Sequence, residues 1–305
     1  MRCRVLFDPT HVRRAFSRSA PRYDSAAALQ REVGDRLGES LDYFSLDPAR
    51  AALTPAVVLD VGTGTGRMAA LMQSRWPKAR VLALDLAMPM LQTLPRTRGL
   101  RRMFDRTHAP VPVCADARAL PVADGSVDVL LSNLCLQWVE DLPAVFAGFR
   151  RVLKPGGLLL VSTFGPETLV ELREAFADAD ASPHVSAFAS IAQFGDALVV
   201  SGFRDPVLDR DVFVQPYADL PSLMRELRTL GATNAMATRR RTLTGRARFA
   251  RAAEAYEPMR REGMLPATWE VLYAHAWAPE PGTPIRLGGI DEVRVPVSAI
   301  PVRRR

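Results

Sequence analysis

The sequence predicts an α/β fold, a mostly parallel sheet with helices on both faces. Three observations carry that prediction. From residue 56 onward, short apolar runs alternate with helical stretches, the pattern of strand–helix–strand units. Three of those runs end at an aspartate, namely Asp60, Asp85 and Asp116. The first leads into a glycine cluster, Gly62-Thr63-Gly64-Thr65-Gly66, which opens a helix.

Taken in order, residues 11–44 read as helical. Phe16, Ala20 and Tyr23 recur at helix-like spacing, and Leu29, Val33, Leu37 and Leu41 recur every four residues. Pro21 interrupts the first helix, and residues 45–55, with Pro48 and Pro55, read as a linker. Strands are predicted at 56–61, 80–84, 111–115, 127–132 and 158–164, and helices at 67–75, 88–94 and 144–153. Residues 95–110 are basic and irregular, and Lys154-Pro155-Gly156-Gly157 reads as a turn. Beyond the fifth strand, helices are predicted at 167–179, 191–201, 219–230 and 245–260. Residues 203–215 form a strand pair or one long strand, and 268–278 a final strand. The proline-rich tail 279–305, ending in three arginines, reads as largely disordered.

Composition bounds the function. The 305 residues are 48% apolar and 24% charged, as in a globular protein. No apolar run approaches the roughly 20 residues of a membrane span, and the first residues lack the continuous apolar segment of a secretory signal. Cys3, Cys114 and Cys135 are scattered without metal-ligand spacing, which fits a reducing, cytoplasmic setting and no metal site. The net charge is +7, carried by arginine, since lysine occurs only at Lys78 and Lys154. Such an excess suits an acidic partner, either nucleic acid or an acidic carrier protein, or reflects a general use of arginine. Charge alone leaves these open.

The glycine loop narrows the ligand. A dinucleotide site favours GxGxxG with pyrophosphate on the helix N-terminus. Here the spacing is GxGxG, and Asp60 just before it repels an anion and welcomes an ammonium group. S-adenosylmethionine carries an ammonium and a cationic sulfonium. Asp85, 19 residues after Gly66, stands where a carboxylate accepts from ribose hydroxyls. Asp116, followed by Ala117, suits the exocyclic amine of adenine, and Asn133 suits the methionine part. Singly, each has a plainer role as a turn former or helix cap. Their joint order is what points to a nucleoside site.

The motifs VLDVGTGTGRMA, ALDLAMPML, CADARALPVADGSVDVLLSNLCLQWVEDL and FRRVLKPGGLLLVSTF resemble those of class I S-adenosylmethionine-dependent methyltransferases. Three stretches narrow the resemblance to the malonyl-acyl-carrier-protein O-methyltransferase family of biotin synthesis. They are VRRAFSRSAPRYDSAAALQREV at the N-terminus, SNLCLQWVEDL after the fourth strand, and SPHVSAF, LRTLGATN and PATWEVLYAHAW in the C-terminal half. The resemblance covers residues 11–278. One departure, GTGTG in place of the common GCGTG, leaves the backbone contact intact.

The resemblance implies a Rossmann-like seven-stranded sheet with an N-terminal helical lid and linker (1–55), a methyltransferase domain (56–278) carrying a cap insertion at about 219–262, and a basic tail (279–305). The implied cofactor-binding residues are Tyr23, Asp60, Gly62, Thr63, Gly64, Gly66, Asp85, Leu86, Met90, Asp116, Ala117, Asn133 and Leu134. The implied reaction methylates the free carboxylate of a malonyl thioester on acyl carrier protein. A carboxylate is already ionised at neutral pH, so no general base is nominated. An arginine fork is the natural holder for it. Arg173, Arg225 and Arg228 are the candidates, with Tyr23, Gln137, Trp138 and His184 as further positioning residues. Arg13, Arg14, Arg18 and Arg239-Arg240-Arg241 are candidates for carrier docking, and all have a plainer reading as solvated surface. His11, His108 and His275 lie in no ligand pattern. Two alternatives stay open: a complex I assembly factor that hydroxylates arginine shares the LxWV and SPHxSxF patterns, and a non-catalytic protein could hold S-adenosylmethionine on the same fold. Base methylation is disfavoured, since SNLCLQW stands where an NPPY-type tetrad would be.

Overall fold

The helical N-terminus breaks where proline and capping require it. In the computed structural model, which describes residues 6–44, 53–94, 109–179, 182–239, 245–280, 282–283, 285–287 and 290–292, the predicted helical stretch is three helices: α1 (Pro9–Ser19), α2 (Tyr23–Ala26) and α3 (Ala28–Phe44). Asp8 caps α1, its Oδ1 accepting the His11 N–H at 3.1 Å, with Pro9 in the first turn. The four-residue repeat on α3 is its buried stripe: Leu29, Val33, Leu37 and Leu41 are all buried.

The domain that follows runs β1 (Val57–Val61), α4 (Arg67–Arg75), β2 (Arg80–Asp85), α5 (Met88–Leu91), β3 (Val111–Cys114), β4 (Val127–Ser132), a 3₁₀ turn (Leu136–Trp138), α6 (Leu142–Val152), β5 (Leu153–Phe164), α7 (Val170–Ala179), α8 (Ile191–Val200), β6 (Arg204–Tyr217), α9 (Leu220–Leu230), α10 (Arg246–Tyr256), a second 3₁₀ turn (Glu257–Met259) and β7 (Leu265–Trp277). The sheet has seven strands in the order β3-β2-β1-β4-β5-β7-β6. β1 to β5 pair in parallel, and β7 runs antiparallel to both β5 and β6. The strand order reverses between β1 and β4, so their C-terminal ends open the crevice in which such sheets bind ligands. The central strands are buried on both faces. On β1, Leu59 and Val61 join one apolar cluster with Phe146 and Phe149 of α6, and Val58 joins another with Met68 and Met72 of α4.

One expectation is corrected, one open alternative is decided and one expectation is refined. The predicted turn at 154–157 lies within β5. Leu153 pairs with Val127 and Leu158 with Val129, so β5 advances five residues while β4 advances two, and Gly156 at φ +68° takes up the excess as a bulge. Of the two alternatives for 203–215 the second holds, one long edge strand, Arg204–Tyr217. The tail is not wholly irregular, since β8 (Ile285–Leu287) and β9 (Ile290–Glu292) pair as a hairpin. Cys3, His108, Arg240, Arg241, most of the basic stretch 95–110, linker residues 45–52 and the chain end from 293 lie outside the described residues. Among the described residues, no helix is long and apolar enough to cross a membrane and no His/Cys/Asp/Glu cluster could hold a metal ion.

Candidate active site

The glycine loop is built by backbone conformation. Gly62, Gly64 and Gly66 have φ of +75°, +55° and +88°, the left-handed region that favours glycine. Space is as restrictive as φ: a Cβ on Gly62 would stand 2.5 Å from the Cβ and Sγ of Cys135. The Gly62 and Thr63 amides donate to the Leu84 carbonyl at 2.8 and 2.9 Å, tying the loop to β2.

Three carboxylates face this floor in different states. Asp60 is buried, and its Oδ2 accepts the Thr63 hydroxyl at 2.6 Å while its Oδ1 has no partner in hydrogen-bonding geometry. Burial pushes its pKa up to about 7, against the pull of the Thr63 hydroxyl and the Ala69 amide. Asp85 accepts Gly64 N–H on Oδ2 at 2.9 Å and Ala87 N–H on Oδ1 at 2.7 Å, which fixes the plane of its carboxylate. Burial raises its pKa too, opposed by those amides. Asp116 is held by Arg118 instead: Oδ1 accepts Nε at 2.9 Å, Oδ2 accepts Nη2 at 2.5 Å, and the pKa falls. Its oxygens are therefore already engaged, and adenine would have to share them.

The crevice continues from Asp60 and the loop to Asp85, Leu86, Met90, Asp116, Ala117 and Leu134, under a roof of Phe7, Pro9, Val12, Phe16 and Tyr23. Tyr23 lies over Gly64, with Cε1 3.9 Å from where a Cβ would be. Burial and the charge of Asp85 push the Tyr23 phenol above its ordinary value. Burial likewise raises the Cys135 thiol to about 12, so it is a neutral packing group. Carboxylates around a floor without side chains, one of them with an unpartnered buried oxygen, fit a cationic nucleoside and disfavour a pyrophosphate.

A second, largely apolar cavity lies beside the crevice, against α9. Phe164, Leu169, Leu172, Phe176, Val185, Phe188, Leu227 and Trp269 wall it, with Gln137, Thr168, His184, Ser186, Arg228, Thr233 and Asn234 among its polar groups. Trp138 lines both spaces, held edge-on by Phe16 at 5.5 Å and Phe7 at 6.1 Å between ring centroids.

Known proteins resolve what this pairing belongs to. Residues 59–161 match the methyltransferase domain family. Over 304 residues the chain is 56% identical to the malonyl-[acyl-carrier protein] O-methyltransferase of Xylella fastidiosa, covering 98% of each chain. The chain belongs to the malonyl-[acyl-carrier protein] O-methyltransferase family. The relative of that name from Gallionella capsiferriformans is 45% identical over 277 residues, covering 90% of this chain and 93% of its own. A solved structure of a candidate methyltransferase from Bacillus halodurans, 18% identical, covers 79% of this chain and 99% of that one at a TM-score of 0.50, which shows the shared fold. Membership in the methyltransferase family sets the arginine-hydroxylase alternative aside.

Of the three arginines nominated for the malonyl-[acyl-carrier protein] O-methyltransferase substrate, the fold brings one to the cavity. Arg228 lines it and, among the described residues, makes no ion pair or side-chain hydrogen bond. Arg173 donates to the Pro166 carbonyl at 3.0 Å, and Arg225 projects into solvent toward Ser222 and Asp219. His184 lines the cavity and stacks on Phe176 at 4.1 Å. Gln137 Nε2 donates to the Leu134 carbonyl at 2.7 Å, leaving its Oε1 buried without a partner. The Asn133 side chain donates to the Gln30 carbonyl at 3.0 Å and accepts the Ser162 hydroxyl at 2.8 Å, so it braces the crevice wall with both ends occupied. The Thr63 hydroxyl and amide are likewise spent inside the protein.

Among the docking candidates, Arg13, Arg14 and Arg18 are exposed on α1. Arg239 is not: its side chain is 15% exposed and donates to Asp8 at 3.2 Å, beside His11. That network gives His11 a structural place, with its pKa lowered by burial and then by the Arg239 charge. Sequence reasoning missed the roof residues Phe7, Pro9 and Val12, the Arg118 clamp, and Trp269, Thr233 and Asn234. Arg118 alone carried a local signal, a cation two residues after a strand-end aspartate.

Proposed function

We propose that this protein methylates the free carboxylate of malonyl-acyl carrier protein, with S-adenosylmethionine as donor. The observation that carries the reading is a juxtaposition: an acidic, glycine-floored crevice and an apolar cavity holding one unpaired guanidinium share Trp138 as a wall. The first suits a cationic nucleoside, the second a short acyl chain with a negative end.

When bound, S-adenosylmethionine supplies an electrophilic methyl group and is left as S-adenosylhomocysteine. Asp60 would hold the ammonium group and Asp85 the ribose hydroxyls, with Tyr23 closing over the methionine part. Met90, Leu86 and Leu134 would enclose the base, with Ala117 beside it and Asp116 sharing its oxygens between adenine and Arg118. Residues 1–55 act as lid and linker and about 219–262 as a cap. Arg228 would hold the malonyl carboxylate by its fork, each oxygen keeping a further lone pair with which to react. The carboxylate arrives ionised, so no residue need remove a proton. Trp138 and the apolar wall strip water from it, and alignment of the reacting atoms supplies the rest of the rate. Gln137 and His184 line the path of the acyl arm. The methyl ester removes a charge whose burial in a chain-elongating enzyme would be costly, in keeping with the pimeloyl stage of biotin synthesis.

The carrier is acidic and the chain has a net charge of +7. Arg13, Arg14 and Arg18 on α1 stand on the helix that packs against α9, which carries Arg228. Docking there would steepen the dependence of KM on salt. The reading is tested by incubating the protein with S-adenosylmethionine and malonylated carrier protein and taking the intact mass. A gain of one methyl group, lost when acetylated carrier replaces malonylated, is the expected result. Tight binding of S-adenosylhomocysteine with no transfer would overturn it.

A further inference from the structure

Glu140 lines neither cavity, yet it reaches the segment that roofs one of them. Its Oε2 accepts two main-chain bonds, from Leu6 N–H at 2.5 Å and Phe7 N–H at 3.1 Å. The same segment is tied elsewhere by Asp8 N–H to the Ala235 carbonyl at 2.9 Å, by Ala237 N–H to the Leu6 carbonyl at 2.7 Å, and by the Arg239–Asp8 pair. Those three ties come from the stretch that follows α9. Glu140 comes from the other side, just past the 3₁₀ turn Leu136–Trp138 that follows β4, beside the crevice. It therefore adds a main-chain anchor on the strand-end side, where the segment is otherwise held by packing of Phe7 and Phe16 on Trp138 and of α1 on α5.

The consequence of that seating is local. Phe7 is 3% exposed, lines the crevice and meets Trp138 edge-on. Arg118, the partner of Asp116, also feels the charge of Glu140. We propose that Glu140 is a positioning residue for the methyl donor: by holding the main chain of Leu6 and Phe7 it seats Phe7 against Trp138 and keeps the roof closed over the adenosine end of the crevice. This rests on the methyltransferase reading above.

Calorimetry with S-adenosylhomocysteine on the full chain, with amide hydrogen exchange over residues 6–19, tests it. Glu140→Ala is expected to weaken binding roughly tenfold, the scale of losing hydrogen bonds to a charged acceptor, and to speed exchange in that segment. The KM for the donor rises while that for malonylated carrier holds. Glu140→Gln keeps an oxygen that accepts both amides and is expected to stay within about twofold of the parent. Equal affinity in Glu140→Ala and the parent would overturn the proposal, and so would equal losses in the two variants, since the charge on Arg118 would then be the operative term. Should Glu140→Ala fail to fold, Phe7→Ala carries the test: it leaves Glu140 in place and is expected to lose the same affinity, and unchanged affinity would overturn the proposal. If the parent itself binds no S-adenosylhomocysteine, the function proposed above fails instead.

Discussion

The crevice at the parallel strand ends and the apolar cavity beside α9 draw their walls from the chain in different ways. The crevice takes its floor and carboxylates from consecutive strand ends, so that part of it falls at the close of successive apolar runs between 57 and 134, while the roof and Trp138 come from outside that span. The cavity takes one wall from the end of β5, one from α7, one from α9 and one from β7, which are brought together only when β7 inserts between β5 and β6. A binding surface laid along consecutive segments is stiff in main chain and sensitive to backbone change. One assembled from distant segments is defined by side chains and sensitive to truncation.

The largest effect that would sharpen this contrast is on the crevice floor. Gly62→Ala puts a Cβ 2.5 Å from Cys135 at a φ of +75°, and the combined clash and strain should cost about 2–4 kcal/mol of stability. Thermal unfolding and S-adenosylhomocysteine calorimetry would read both stability and binding. The double variant with Cys135→Gly should recover part of the loss, since the two sites touch. Full tolerance of the single variant would break the contrast.

Next comes the cavity. Arg228→Ala should raise the KM for malonylated carrier by roughly 10- to 100-fold, the scale of a lost charge-assisted pair, and leave donor affinity alone. Arg225→Ala, two-thirds exposed, should do little. A loss of donor binding in Arg228→Ala would show that the two spaces are not separable.

The smallest effect is a pH dependence. Asp60 has a raised pKa of about 7, so the ligand-free protein holds that proton below neutrality and releases it above. The unfolded chain, with the carboxyl near 3.8, has already released it. This group therefore lowers the stability of the free protein as pH rises from about 4 to about 7. An ammonium ligand prefers the ionised form, so affinity for S-adenosylhomocysteine should rise by up to about tenfold between pH 6 and pH 8. Calorimetry at the two values would check it. Asp60→Asn should flatten the profile, as should a thioadenosine ligand without the amino-acid part.

Legibility in the sequence followed the same division. The strands and the GxGxG loop could be read because each depends on neighbours in the chain. Asp60 and Asp85 face the loop, and Asn133 lines the crevice while its amide is bonded to Gln30 and Ser162. Nothing local in the sequence shows that a side chain lining the crevice also braces its wall. Arg173, Arg225 and Arg228 were equal candidates by composition, and only tertiary packing separates them: α9 turns Arg228 to the cavity and Arg225 to solvent, and Arg173 bonds the Pro166 carbonyl. The turn at 154–157 failed for a related reason: a bulge and a turn use the same residues, and the pairing of Leu153 with Val127 decides between them.

Under the proposed function the Trp138 indole would stand against both ligands at once. Whatever order one ligand imposed on that ring, the other would no longer need to impose, and the second to arrive would bind more tightly. By reciprocity the gain would be the same whichever came first, and spent donor and esterified carrier would each slow the other's release.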